Sequence, residues 1–222
     1  MRNNNKYYLI IFIFIHLSTP SFGNSGEDVP LIKNQLSNFH TIKINKDMKT
    51  EWELQGNMMT KYDNDITLIN NPYLNMYKIK STTNIKSDTA IDPSGKMEEI
   101  YLKNNVFINR ENLEDDSPMK MYTSYAIFYI SKNLVETDRD VTIITSDSTT
   151  TGSGLSANID TGMIMVLSNV KRTIKENDKF RIIEGNQMIY DSNNKKWIVK
   201  DTAASDLKKV IRKKVTATFD IK

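Results

Sequence analysis

The sequence predicts an all-β fold, an open twisted β jelly roll or solenoid-like stack of antiparallel hairpins. Three observations point there. Residues 152–171 (GSGLSANIDTGMIMVLSNVK) read as strand, turn, strand: Leu155, Ala157 and Ile159 alternate with Ser156, Asn158 and Asp160, and Met163 to Leu167 return after the turn Asp160-Thr161-Gly162. The same pattern recurs at a loose spacing of roughly 25 to 35 residues, the range of repeat architectures. Long helices are hard to find; only residues 203–213 could form one, and they end beside a better strand.

The copies follow in order. Residues 52–77 give a strand, the turn DND, ITLI and NNPYLNMY; residues 83–109 give TNIKSDTAI, the turn DPSG and MEEIYLKNNVFIN. Residues 119–145 give MKMYTSYAIFYI, the polar SKN and LVETDRDVTIIT, and the hairpin above is fourth. Residues 180–200 give FRIIEGNQMIY, the turn DSNNKK and WIVK. The final strand alternates Val215, Ala217, Phe219 and Ile221 with Lys214, Thr216, Thr218 and Asp220. Pro30, Pro72, Pro93 and Pro118 fall at turns or strand edges, where a missing N–H is tolerated.

The first 23 residues stand apart. Arg2 and Lys6 precede the apolar YYLIIFIFIHL, and Ser21-Phe22-Gly23 offers small residues at the two positions a signal peptidase reads. A cleaved leader is expected, with an uncleaved anchor as the alternative. Removing Arg2 and Lys6 leaves 28 of the 30 basic residues against 27 acidic ones, which gives no argument for a nucleic-acid partner. Residues 24–38 read as a flexible lead-in, and strand-like FHTIKIN follows. Residues 80–88 and 111–118 read as polar connections too short for interdomain linkers, so one domain is expected.

Chemistry is scarce. There is no cysteine, and His40 is the one histidine beyond the leader, which excludes cysteine nucleophiles and multi-histidine metal sites. No GxSxG elbow accompanies His40. The acidic groups Asp63/Asp65, Glu114-Asp115-Asp116 and Asp138/Asp140 sit where the pattern needs polar turns, and none has a calcium-loop pattern. TTTGSG at 149–154 lacks the lysine and helix of a phosphate loop and reads as a bend. KKVIRKK at 208–214 is either a contact for phosphate, a membrane surface or an acidic partner, or a charged edge that resists aggregation. The expectation is a binding or scaffold protein without cofactor, not an enzyme.

Alternation nominates Leu68, Ile69, Val106, Ile127, Ile143, Ile164, Val166 and Ile174 as inward-facing. Parity does not say whether that interior is filled or open. The succession WELQGNMMTKYDNDITLINNPYLNMY (52–77), STTNIKSDTAI (81–91) and VTIITSDSTTTGSGLSANIDTGMIMVLSNVKRTI (141–174) resembles the LptC family, the periplasmic component of lipopolysaccharide export, over residues 39–175. No single motif is specific; the order is.

The resemblance implies an open jelly roll whose apolar interior takes lipopolysaccharide acyl chains from an inner-membrane ATP-binding-cassette transporter. The lipid would pass to an LptA-like bridge protein through strand-edge pairing. It implies a lipid-facing role for Ile69, Ile164, Ile174 and Phe39, and a periplasmic location. The edge strand carrying Val215, Ala217 and Phe219 is the expected partner contact. An LptA-like bridge component and a secreted structural or adhesive β-solenoid with a filled core are the alternatives. Two departures stand out: the leader looks cleavable, and residues 180–222 extend beyond the usual end.

Overall fold

The computed structural model describes residues 9–11, 30–114, 117–176, 179–200 and 218–219. Its strands are β1 (Leu9–Ile11), β2 (Ile32–Ile44), β3 (Thr50–Tyr62), β4 (Thr67–Asn70), β5 (Tyr73–Tyr77), β6 (Ser81–Lys86), β7 (Thr89–Asp92) and β8 (Glu99–Asn112). They continue with β9 (Ser117–Tyr129), β10 (Leu134–Ile144), β11 (Ser148–Asn158), β12 (Met163–Glu176), β13 (Lys179–Gly185), β14 (Gln187–Asp191), β15 (Lys196–Lys200) and β16 (Thr218–Phe219). The only helical element among the described residues is one 3-10 turn, Ile130–Lys132. All pairings are antiparallel and join into one sheet. The expected all-β stack of hairpins is present.

Turn chemistry explains the hairpins. Asp92, 1% exposed, accepts the N–H groups of Ser94 and Gly95 at 3.0 Å and of Met97 at 2.8 Å, and so closes the turn into β8. Asp191 does the same after β14 with Asn193 and Asn194. Short acceptors of this kind replace the ladder where the chain reverses.

The long strands break near their midpoints. Asn38, Asn104, Asn105, Asn169 and Gly154 have φ of 49°, 60°, 48°, 53° and 74°. Register slips between Lys103 and Val106, Thr137 and Asp140, and Thr151 and Ser153. At Asn71, φ 49°, the partner of β3 changes from β4 to β5. Bulges bend a strand and raise its twist. Because these fall on neighbouring strands, the sheet folds along one line into two layers with a common interior. TTTGSG lies within β11 and supplies part of that line. A Cβ on Gly152 would come within 2.5 Å of Val166 Cγ1, and the left-handed backbone of Gly154 disfavours any side chain.

One layer holds β5, β6, β13 and the halves of β8–β12 that include Ile108, Met121, Ile143, Thr150 and Arg172. Directly paired residues of its inner face run Ile85, Ile108, Met121, Ile143, Thr150, Arg172, Ile183. The other layer holds β4, β7, β14 and β15, with the row Ile100, Phe128, Val135, Ala157, Ile164, Tyr190, Trp197. Every member of the second row is buried, and nearly all of the first. The layers touch where the Arg172 guanidinium lies 4.2 Å from the Trp197 ring centre.

Two expectations need correction. Residues 32–37 are strand, not lead-in: Gln35, Leu36 and Ser37 pair with Thr60, Met59 and Met58. Residues 81 and 82, read only as a connection, join 83–86, which also opened the second copy, in β6 between β5 and β8. Residues 32–37 are mostly exposed, and β6 turns the polar Ser81 and Thr83 inward, so neither segment shows a clear apolar alternation. Leu9–Ile11, inside the expected leader, pairs with Thr41–Lys43 of β2, and the rest of the leader lies outside the described residues. So do the possible helix at 203–213 and the basic cluster at 208–214.

Candidate functional site

The two layers are joined along the fold line and part on the opposite side. There the interior opens as two cavities. The larger, about 610 Å³, lies between β3, β5 and β6 of one layer and β4, β7, β8 and β9 of the other. Leu54, Leu74 and Met76 face Ile100, Leu102 and Phe128 across it, with Ile69 and Ala90 at its back. Lys43, Glu51 and Lys78 stand at the mouth. Apolar walls under a charged rim suit a ligand with an apolar body and a polar end.

The smaller cavity, about 330 Å³, lies toward β14 and β15 and is mixed: Ser81, Asn112, Ser117 and Asp147 meet Ser192 and Asn193, with Pro118, Met119, Tyr190 and Trp197 as its apolar part. A bridge separates the two. Arg110 donates from Nη1 to the Ile159 carbonyl at 2.7 Å, and Lys78 Nζ meets Asp160 Oδ1 at 2.6 Å. Asn133 Nδ2 reaches Asp160 Oδ2 at 2.7 Å. The turn after β11 therefore spans the slot to the other layer.

Among the described residues two arginines are buried, Arg110 at 7% and Arg172 at 2% exposed. Burial pushes the Arg110 guanidinium below its ordinary value, and Asp160 partly restores it. Burial pushes Arg172 down to about 10, against the pull of Asp147 at 3.6 Å and of Tyr190. Both stay charged at neutral pH.

The residues nominated from sequence divide. Ile69 lies at the back of the larger cavity, and Phe39 packs beside it: a Cβ on Gly56 would come within 2.7 Å of Phe39 Cε1 and 3.0 Å of Ile69 Cγ2. Val106, Ile143 and Val166 are buried in the closed middle, and Ile174 near the end of β12. Ile164 borders a narrow void beside Arg110. Leu68 and Ile127 are corrections. They belong to the outer face, in the paired row Leu68, Ile91, Tyr101, Ile127, because a shift of one residue reverses the face.

Val215 and Ala217 lie outside the described residues; the backbone of Phe219 pairs with Trp197. His40 sits at the surface 3.4 Å from Glu53. Among the described residues no three His, Cys, Asp or Glu side chains gather where a metal ion would fit. The larger cavity's walls, Leu54, Leu74, Met76, Ile100 and Phe128, were not singled out from sequence. Their only signal was alternation, which every core residue shares.

An antiparallel sheet folded over an apolar slot open on one side defines an open β jelly roll. The family model described as "Lipopolysaccharide-assembly, LptC-related" matches residues 9–176. The chain belongs to the LptC family, and with it to the periplasm-facing components of lipopolysaccharide transport. No curated protein matches it. The match ends where β12 ends, so β13 to β16 lie beyond it.

Proposed function

We propose that this protein binds lipopolysaccharide in the periplasm, receiving it from an inner-membrane ATP-binding-cassette transporter. It then passes the lipid along the interior to an LptA-like bridge protein. The single observation that carries this reading is the 610 Å³ apolar cavity under a charged mouth. Burying acyl chain contributes roughly 0.8 kcal/mol per methylene, so a few turns of hydrocarbon give useful affinity without any covalent chemistry. Sugars stay outside the apolar walls. The transporter supplies the energy, so a nucleotide site in this chain is not required.

Transfer uses sheet edges, since an open edge presents unpaired N–H and C=O groups to an incoming strand. The segment of Val215, Ala217 and Phe219 is the proposed contact toward the next protein. An N-terminal leader directs export, or stays as a tether.

The test uses Trp52, which lines the larger cavity. In a Trp197→Phe variant it is the only tryptophan. Titration with lipopolysaccharide bearing brominated acyl chains should quench its fluorescence. Quenching equal to that by a soluble bromide salt would mean that acyl chains do not enter, and the filled-core scaffold reading would replace this one.

A further inference from the structure

The smaller cavity sets polar and charged side chains beside Pro118, Met119, Tyr190 and Trp197, and an acyl-binding account makes no use of the charged ones. Three cationic side chains face it, Lys80, Arg110 and Lys195, against one carboxylate, Asp147. That carboxylate is engaged with Arg172 at 3.6 Å, and Lys80 meets Glu114 at 2.9 Å. The guanidinium of Arg110 is buried, with Nη1 on the Ile159 carbonyl.

Polar groups converge beside it without partners. Ser192 Oγ is buried and makes no hydrogen bond. Thr83, the cross-strand neighbour of Arg110, is 1% exposed and its Oγ1 also makes none, but it borders the narrow void behind Arg110 and not this cavity. Ser192 Oγ and Arg110 Nη2 meet at Gly162: a Cβ built there would collide with the hydroxyl and lie 3.2 Å from Nη2. A buried hydroxyl without a partner is costly to keep, and a bound ion or ligand is one way to satisfy it. A guanidinium fork and hydroxyls around a glycine match an oxyanion.

We propose that this cavity binds a phosphorylated saccharide, with the phosphate on Arg110 and Ser192 and the sugar toward Asn112 and Asn193. This rests on the reading above, and it adds a headgroup station on the transport path beyond the bridge at Ile159 and Asp160. The apolar cavity then holds tails, and the smaller one reads phosphate.

The full chain is titrated with glucosamine 1-phosphate, with glucosamine and with inorganic phosphate, following the Gly162 and Ser192 amide resonances. In parallel, lipid A and dephosphorylated lipid A are titrated by Trp52 quenching. Glucosamine 1-phosphate should shift both amides, inorganic phosphate should bind more weakly, and glucosamine should do nothing. Arg110→Gln should weaken the sugar phosphate about tenfold, the loss of one charge-assisted pair. Ser192→Val, which leaves the Arg110–Ile159 contact intact, should weaken it severalfold. Dephosphorylated lipid A should bind about tenfold more weakly than lipid A.

Unmoved amides with every anion would overturn the proposal, even with lipid A quenching Trp52, and the transport reading would survive. Inorganic phosphate binding as tightly as the sugar phosphate would overturn the saccharide assignment. Amide shifts with the sugar phosphate but no entry of lipid would keep the site and remove the lipid path.

Discussion

The two cavities share β6, β8 and β9 yet differ in how many polar side chains line them. In the larger, neighbouring inward positions are Leu54, Leu74, Met76, Ile100 and Phe128; in the smaller, they are Ser81, Asn112, Ser117, Asp147 and Ser192. Strand geometry alone does not set that difference. Along β8 the inward residues run Ile100, Leu102, Val106, Ile108, Arg110, so one strand carries the interior from an apolar wall to a buried cation. The polarity of a slot between sheets is thus decided residue by residue along its strands. A lipid with apolar tails and an anionic head is the kind of ligand that uses both ends.

The largest expected effect comes from emptying the apolar wall. Phe128→Ala should cost about 3–5 kcal/mol in urea unfolding, since the ring is 2% exposed at the centre of a buried row. A loss below about 1 kcal/mol would mean that the row does not bear the core. Filling the same wall separates binding from stability. Leu74→Trp should cut lipid affinity about tenfold, keep stability within about 1 kcal/mol and leave the sugar-phosphate titration unchanged. A parallel loss at both sites would merge the two cavities into one.

Arg172→Met sharpens the contrast in the other direction. The guanidinium is buried with Nε unpartnered, and its carboxylate partner Asp147 remains part-exposed. An apolar side chain of similar volume should therefore hold stability within about 1 kcal/mol or raise it. A loss above about 2 kcal/mol in thermal or urea unfolding would give the contact with Trp197 the larger role.

The smallest effect lies in the turn that walls the smaller cavity. Burial pushes the Asp191 carboxyl up, but the side chain and N–H of Asn194 and the N–H of Asn193 outweigh it and hold the carboxyl below its ordinary value. A lowered folded value means stability present at neutral pH and lost as pH falls through that value. Asp191→Asn should flatten the acid limb of the stability profile below about pH 4. An unchanged limb would assign acid sensitivity elsewhere.

The hairpins were legible because turn chemistry is local. DND, DPSG, SKN, DTG and DSNNKK each sit where the chain reverses. The fold line was not, although its signal was present: Asn38, Asn71, Asn104, Asn105 and Asn169 adopt left-handed φ, a conformation asparagine tolerates. Missing it cost the faces. Met119 and Met121 point inward on β9, and continuing that parity nominates Ile127. Beyond the bulge opposite Asn104 and Asn105, however, Ala126 and Phe128 take the inward positions. Leu68 and Ile69 are adjacent in one strand, so only one of them can face in. The cavities were beyond sequence altogether, because they depend on how far apart two layers stand.

The most direct measurement places a photo-crosslinking amino acid at Leu54 or at Met76, with outward Leu68 as control, in cells that make lipopolysaccharide. Adducts at Leu54 and Met76 but not at Leu68 are the predicted result, and they would establish acyl passage through the slot. Adducts at none of them, with the protein folded, or adducts at Leu68 alone, would contradict the account.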